Sequence, residues 1–162
     1  DVVQLFWLGV TSALSEATAE ALARLKEEGK IRAAGTSIHN RVRAGRIAAE
    51  GPLDQLMIRY NAAHPGAEKD IFPHLAARQP AIVAYTATSW RKLLKRPRGW
   101  DGPVMAAGDC YRFCLSRPEV DVTLTGPASE AQLTENLDAL EKGPLGPEEE
   151  AWIRRFGAAV HG

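Results

Sequence analysis

The sequence predicts an α/β fold built on a parallel sheet, and three observations carry that reading. Short apolar runs recur at residues 1–7, 31–37, 53–60, 81–85 and 120–124. Longer stretches between them show helical apolar spacing with start and stop residues. The strand-then-helix unit repeats with a period of about 25 to 35 residues, as β-α units do. Alternation of this kind implies right-handed crossovers between parallel strands. Five units suit either an open doubly wound sheet or part of a barrel, which needs eight.

The elements follow in chain order. Residues 1–7 carry Val2, Val3, Leu5, Phe6 and Trp7 and read as a buried strand. Ser15 is placed to cap a helix with Glu16 and Glu20 early and Lys26 late, matching the helix dipole. Ala17, Ala21, Leu22 and Leu25 form its inner face, and Gly29 ends it. Residues 31–37 form the second strand, 41–50 a weaker helix, and 53–60 the third strand. A helix is predicted over 68–78, with Pro73 arguing for a break. The fourth strand, 81–85, leads into a long loop containing Trp, Arg and Pro residues, through about Gly102. A helix over 105–116 stops before Pro118. The fifth strand, 120–124, runs through a Gly126-Pro127 turn into a helix ending near Glu141. Ser129 stands three residues before Gln132, a capping-box spacing. Leu133, Leu137 and Leu140 repeat as an apolar helix face. Pro147 opens the last helix, with Glu148, Glu149 and Glu150 in its first turn and Trp152, Ile153 and Phe156 on one face.

At 162 residues the chain fits a single domain, 1–162, with a substantial core. Lys plus Arg equals Asp plus Glu at 20 each, which argues against nucleic acid and against an anionic membrane surface as partners. No apolar run approaches the roughly 20 residues of a membrane span, and no signal-peptide pattern is present. The basic run Arg91–Arg98 reads as a solvated loop face, one that could also meet a phosphate. Cys110 and Cys114 are four apart on one predicted helix, a geometry unsuited to a disulfide. They read as reduced thiols, hence a cytoplasmic protein. Neither has partners at metal-ligand spacing, so no metal is expected. The chain opens on Asp1 inside an apolar run, the pattern of a cut through a larger domain.

Ligands of parallel α/β folds bind at the carboxyl ends of the strands. There lie residues 7–9, 37–40, 60–64, 85–88 and 125–127, with His39, Tyr60, His64 and Tyr85 among them and no acidic residue. His39 and His64 are either bases or hydrogen-bonded loop histidines. Tyr85 stacks on a flat ring or packs at its strand end. Cys110, beside Asp109, is a nucleophile or a packing residue. The turn and capped helix at 126–136 present a helix N-terminus that suits an anion, or else form an ordinary connection. Gly-x-Ser-x-Gly, Walker and Gly-x-Gly-x-x-Gly patterns are absent from the sequence.

Taken in order, these segments resemble the aldo-keto reductases, in the rear half of their barrel. Leu25–Ser37 resembles the approach to the family's fifth strand, Asp54–Asn61 the sixth, Ile82–Thr86 the seventh, and Val122–Asn136 the eighth with its cofactor helix. The resemblance implies a partial (β/α)8 barrel of about five units, without the N-terminal part. Its apolar first and fifth strands would be edges, completed by a missing piece or covered in a homo-oligomer. It also implies NADP or NAD as cofactor. Ser37 matches the serine that holds the nicotinamide carboxamide, with Ile38 and Met57 replacing its usual Asn and Gln companions. Tyr85 matches the aromatic that stacks on the nicotinamide, followed by Thr86. Glu135 and Asn136 match the pair that reads adenine. Gly126 and Gln132 stand where a lysine and an arginine often grip the phosphate of NADP, which should weaken any preference for it. Of the family's Tyr, Lys, Asp and His tetrad, three members precede Asp1 in register, and Phe6 stands in place of the histidine.

Three functions follow. One is a reductase-like oxidoreductase domain binding a dinucleotide and a small molecule. Another is a hydrolase, esterase-like or other, using His39, Tyr60, His64 or Cys110 at a half-barrel oligomer. The third is a non-catalytic fragment or binding scaffold.

Overall fold

The computed structural model describes residues 1–161. Five strands form one sheet in sequence order: β1 (Val2–Leu5), β2 (Ala33–Ile38), β3 (Gln55–Arg59), β4 (Ala81–Tyr85) and β5 (Val122–Thr123). The strands are parallel, as the alternation of elements predicts. The registers Val2↔Ala33 and Gly35↔Gln55 fix the first two pairings. Helices α1 (Glu16–Glu27), α2 (Arg41–Glu50), α3 (Ala67–Asp70), α4 (Ala107–Leu115), α5 (Glu130–Glu141) and α6 (Pro147–His161) alternate with them. Contacts gather into two units, one of 1–58 with 66–83, the other of 59–65 with 84 onward.

In the first unit, Ser15 caps α1 by accepting from the Thr18 N–H, and Asn40 caps α2 by accepting from the Arg43 N–H at 2.9 Å. Asp54, just before β3, ties three elements. Both its carboxylate oxygens accept from Lys26 Nζ at 2.8 Å, and one also accepts from the Ala34 N–H at 2.9 Å. Helix α2 presents a small face, Ala44, Gly45 and Ala48, because it lies close on residues 70–77. A Cβ at Gly45 would sit 2.2 Å from the Asp70 carbonyl oxygen.

Two expectations are corrected in this unit. The helix read over 68–78 is a short α3 followed by a 3₁₀ turn, Phe72–Ala77, with Pro73 in its first positions. The break falls at Ile71, as expected where proline cannot continue an α-helical bond pattern. The run 1–7 is not a buried strand: Val2 is 47% exposed and Phe6 68%. Its edge position leaves those side chains at the surface, in line with the exposed edge that the family resemblance implies.

The second unit has its own core of Tyr60, Leu93, Phe113, Ile153 and Phe156. Tyr60 stacks on Phe113 at 5.4 Å, and Trp100 meets Phe156 edge-on at 5.1 Å. Here the apolar stripe of α5 is corrected. Leu133, Leu137 and Leu140 are 43%, 53% and 57% exposed, while Ala139 is buried. The reason is steric. Helices α4 and α5 meet through small residues, and a Cβ at Gly108 would lie 3.2 Å from Ala139 Cβ. That close approach turns Ala139 inward and rotates the leucines out. β5 is shorter than expected, at two residues, and Val122 and Leu124 beside it are exposed.

Candidate functional site

The second unit carries a cleft of about 400 Å³, lined by residues from the loop after β4, from α4, and from the turn and first half of α5. Sequence accounts for its α5 wall. Ser129 adopts extended backbone at the N-cap, and its Oγ accepts from the Gln132 N–H at 3.3 Å. Gln132 Oε1 reaches back and accepts from the Ala128 N–H at 2.8 Å. This is a capping box displaced by one residue at its return arm. Gly126, Pro127 and Ala128 complete that end of the cleft.

A polar chain links Asn136 on α5 to Tyr111 on α4, both of which line the cleft. Asn136 Nδ2 donates to Thr125 Oγ1 at 2.7 Å, and Thr125 Oγ1 donates to the Tyr111 hydroxyl at 2.9 Å. Glu135 lines the same cleft, and Arg91 is the one cation among its lining residues. Tyr111 was not legible as a site residue because it comes from a helix face rather than a strand end. The signal that could have found it is its spacing from Ala107: the two stand four apart on α4 and both line the cleft.

The loop that closes the cleft holds an unusual backbone. Thr86, Ser89, Trp90 and Arg91 all have left-handed φ, at 57°, 49°, 52° and 67°. Non-glycine residues pay roughly 1–2 kcal/mol each for that conformation, and such outliers concentrate at ligand sites. Ser89 is fully buried, and its Oγ has no hydrogen-bond partner among the described residues. Ser89→Gly removes both penalties. We expect it to stabilise the protein by about 1 kcal/mol or more after the added unfolded-chain entropy is set against the gain. A chemical denaturation midpoint at or below the wild-type value would contradict this account of the loop.

Tyr85 and Thr86 lead into this loop, at the carboxyl end of β4. Burial raises the Tyr85 pKa above the ordinary phenol value, against the opposing charge of Arg59. The Thr86 carbonyl accepts from Asn61 Nδ2 at 2.8 Å, so residue 61 positions the turn. His64 Nδ1 lies 3.1 Å from Asn61 Oδ1, and its ring meets His161 edge-on. Tyr60 is fully buried, with its hydroxyl 3.3 Å from Arg117 Nε. Cys110 is buried too. Burial, with Cys114 and Asp109 nearby, pushes its thiol well up, the opposite of what a thiolate nucleophile needs. Cys114 is pushed up to about 12 by burial, and both cysteines are free.

Ser37 and His39 belong to the first unit. Ser37 Oγ accepts from the Trp7 N–H at 2.8 Å, and the Ser37 carbonyl accepts from Leu8 N–H. Trp7, itself at φ 50°, places its ring edge-on to His39 at 5.5 Å. Met57 lies on β3, beside Ser37 in the register. Among the described residues, no group of three or more His, Cys, Asp or Glu could hold a metal. None of their helices is long and apolar enough to cross a membrane.

A family model for the aldo/keto reductase family matches residues 1–97. The chain belongs to that family. A search of curated proteins gave no match. Solved structures of the same fold include the apo and holo forms of the aldo-keto reductase AKR11C1 from Bacillus halodurans. The apo form is 21% identical, with a TM-score of 0.75, over 96% of this chain and 61% of that one. The holo form is 22% identical, with a TM-score of 0.76, over 96% and 60%. The glycerol dehydrogenase AKR11B4 from Gluconobacter oxydans is 20% identical, with a TM-score of 0.74, over 100% and 60%. The chain therefore spans about three-fifths of the length of these reductases.

Proposed function

We propose that this aldo/keto reductase chain is an oxidoreductase-like domain whose second-unit cleft takes the adenosine end of a nicotinamide dinucleotide, with NAD(H) preferred over NADP(H). The observation that carries the reading is the α5 wall. A capped helix start and the Asn136–Thr125–Tyr111 chain face a cleft of about 400 Å³, wide enough for a flat heterocycle and its sugar. Glu135 and Asn136 would hold the base, and Arg91 would meet a phosphate from the opposite loop. Tyr85 and Thr86, at the carboxyl end of β4, are the proposed contacts for the nicotinamide end. Bound, the cofactor would supply hydride. Phe6, which the family resemblance sets in place of a histidine, has no proton to share with a carbonyl. Its ring supports a chain that keeps cofactor surface while lacking the usual proton donor at that position.

The preference follows from the same wall. The α5 end carries no cation, because Gly126 and Gln132 stand there. Gln132 is already committed to the Ala128 N–H, so an added phosphate would displace a satisfied cap without gaining a charge-assisted bond. Fluorescence titration should show NADH binding roughly tenfold tighter than NADPH, and Gln132→Arg should recover about that factor for NADPH. Equal affinities in the wild type would remove the preference. Failure of both cofactors to bind at millimolar concentration would remove the dinucleotide reading itself.

A further inference from the structure

The basic run that follows Trp90 is only partly used by the cleft above. Arg91, Lys92, Lys95, Arg96 and Arg98 fall within eight residues, and no acidic residue occurs between Asp70 and Asp101. A 3₁₀ turn, Lys92–Leu94, sets where each side chain goes. With three residues per turn, positions i and i+3 share a face. Arg91 and Leu94 accordingly line the dinucleotide cleft, and Leu93 is fully buried. Lys92 and Lys95 fall on the remaining face. There they join Arg96, Pro97 and Arg98, with Ala159 and Val160 of α6, around a second cleft of about 380 Å³. The two clefts share no lining residue.

The loop around this second cleft is held in place. Arg96 donates to the Trp100 carbonyl at 2.9 Å and to the Gly102 carbonyl at 2.7 Å. Trp100 donates from its indole N–H to the Pro103 carbonyl at 2.9 Å and packs against Phe156. Arg96 therefore braces the loop, and its charge stays at the cleft. Four like charges line one depression, and among the described residues no carboxylate pairs with Lys92, Lys95 or Arg98. Such an arrangement repels itself and concentrates anions.

We propose that this second cleft is a binding site for a compact anion carrying two or more phosphoryl groups. Several charges are needed to match Lys92, Lys95, Arg96 and Arg98 together, and the guanidinium forks suit phosphate oxygens. The basic run is only eight residues long and the chain as a whole is neutral, so the site fits a compact anion better than an extended nucleic acid. The phosphoryl groups could belong to a soluble polyphosphate or to a phosphorylated lipid headgroup. The chemistry of recognition is the same for both.

Calorimetric titration of the full chain with inorganic tripolyphosphate at low salt tests the site. Saturable binding is expected, weakened at least tenfold by Lys92→Gln/Lys95→Gln/Arg98→Gln and several-fold by Arg98→Gln alone. These side chains are exposed and lack acidic partners among the described residues, so the variants should melt as the wild type does. Arg91→Gln, which alters only the first cleft, should leave tripolyphosphate binding within twofold while weakening NADH. Sedimentation with vesicles containing phosphatidylinositol bisphosphate separates the sources. Retention that the triple variant abolishes assigns a lipid headgroup, and its absence with tripolyphosphate binding intact assigns a soluble ligand. No saturable heat with the wild type would overturn the proposal. So would a triple variant that binds normally, or a loss in Arg91→Gln equal to that in the triple variant.

Discussion

Gly157→Ala should lower stability by about 3 kcal/mol, at the upper end for overpacking in a close-packed interior. The argument is geometric. Gly157 faces inward on α6, and a Cβ there would lie 2.2 Å from the Ala62 carbonyl oxygen and 2.4 Å from its carbon. Both atoms are backbone, so no side-chain rotation relieves the overlap. Alanine is the better helix former by up to about 1 kcal/mol, but that gain is smaller than the cost of forcing two backbones apart. The consequence reaches the cleft. Ala62 follows Asn61, which is fully buried and whose Nδ2 holds the Thr86 carbonyl at 2.8 Å. Thr86 begins the left-handed loop and follows Tyr85. Displacing residue 62 therefore loosens the turn that sets both. Differential scanning calorimetry should show a melting temperature lower by roughly 6–12 °C, and the NADH binding proposed above should weaken. A variant that melts with the wild type would mean that α6 does not lie against residue 62.

Much of this arrangement was legible in the chain, and the illegible parts share a cause. Caps could be read because they are local: Ser15 and Ser129 each bond to an N–H three residues on. The order of strands and helices could be read because side-chain periodicity is local too. What could not be read was which face of an element its neighbours would cover. The leucine stripe of α5 has good helical spacing, yet Ala139 is the residue that packs, because Gly108 lets α4 come close. Tyr60 stands at a strand end, where a site residue was expected. Its inward parity along β3 instead buries it against Phe113. Gln132, Glu135 and Asn136, which the family resemblance marks, line the cleft beside Tyr111, which enters from a helix and has no motif. The two fates of the basic run depend on a 3₁₀ turn that its composition does not announce.

Arg112→Ala should be the other severe loss, of about 2–3 kcal/mol, since a buried guanidinium gives up its charge-assisted hydrogen bonds and its packed stem together. The Arg112 side chain is only 8% exposed. Its guanidinium donates to the Gly143 carbonyl at 2.9 Å and the Pro144 carbonyl at 3.2 Å, both in the connection from α5 to α6. It also forks onto Glu149, at 2.7 and 3.0 Å. Glu149 in turn accepts from the Gly146 N–H at 2.9 Å, so one cation organises the whole connection. Lysine keeps the charge but cannot reproduce a planar fork to four acceptors, and Arg112→Lys should recover less than half of the loss. The pair also gives an acid limb. The Arg112 hydrogen bond and the Gly146 N–H hold the Glu149 carboxyl down to about 2, from an ordinary 4.5. Because the folded value is the lower one, this contribution is whole above about pH 4.5 and drains as pH falls toward 2. The Glu149 side chain is 48% exposed, so salt should shrink the effect. Denaturation midpoints at pH 7, 4 and 3 should fall more steeply for the wild type than for Glu149→Gln, which has no proton to take up at that position. Parallel pH profiles would show that the pair contributes nothing specific. Equal stabilities for Arg112→Ala and Arg112→Lys would show that its charge and fork do not anchor the connection.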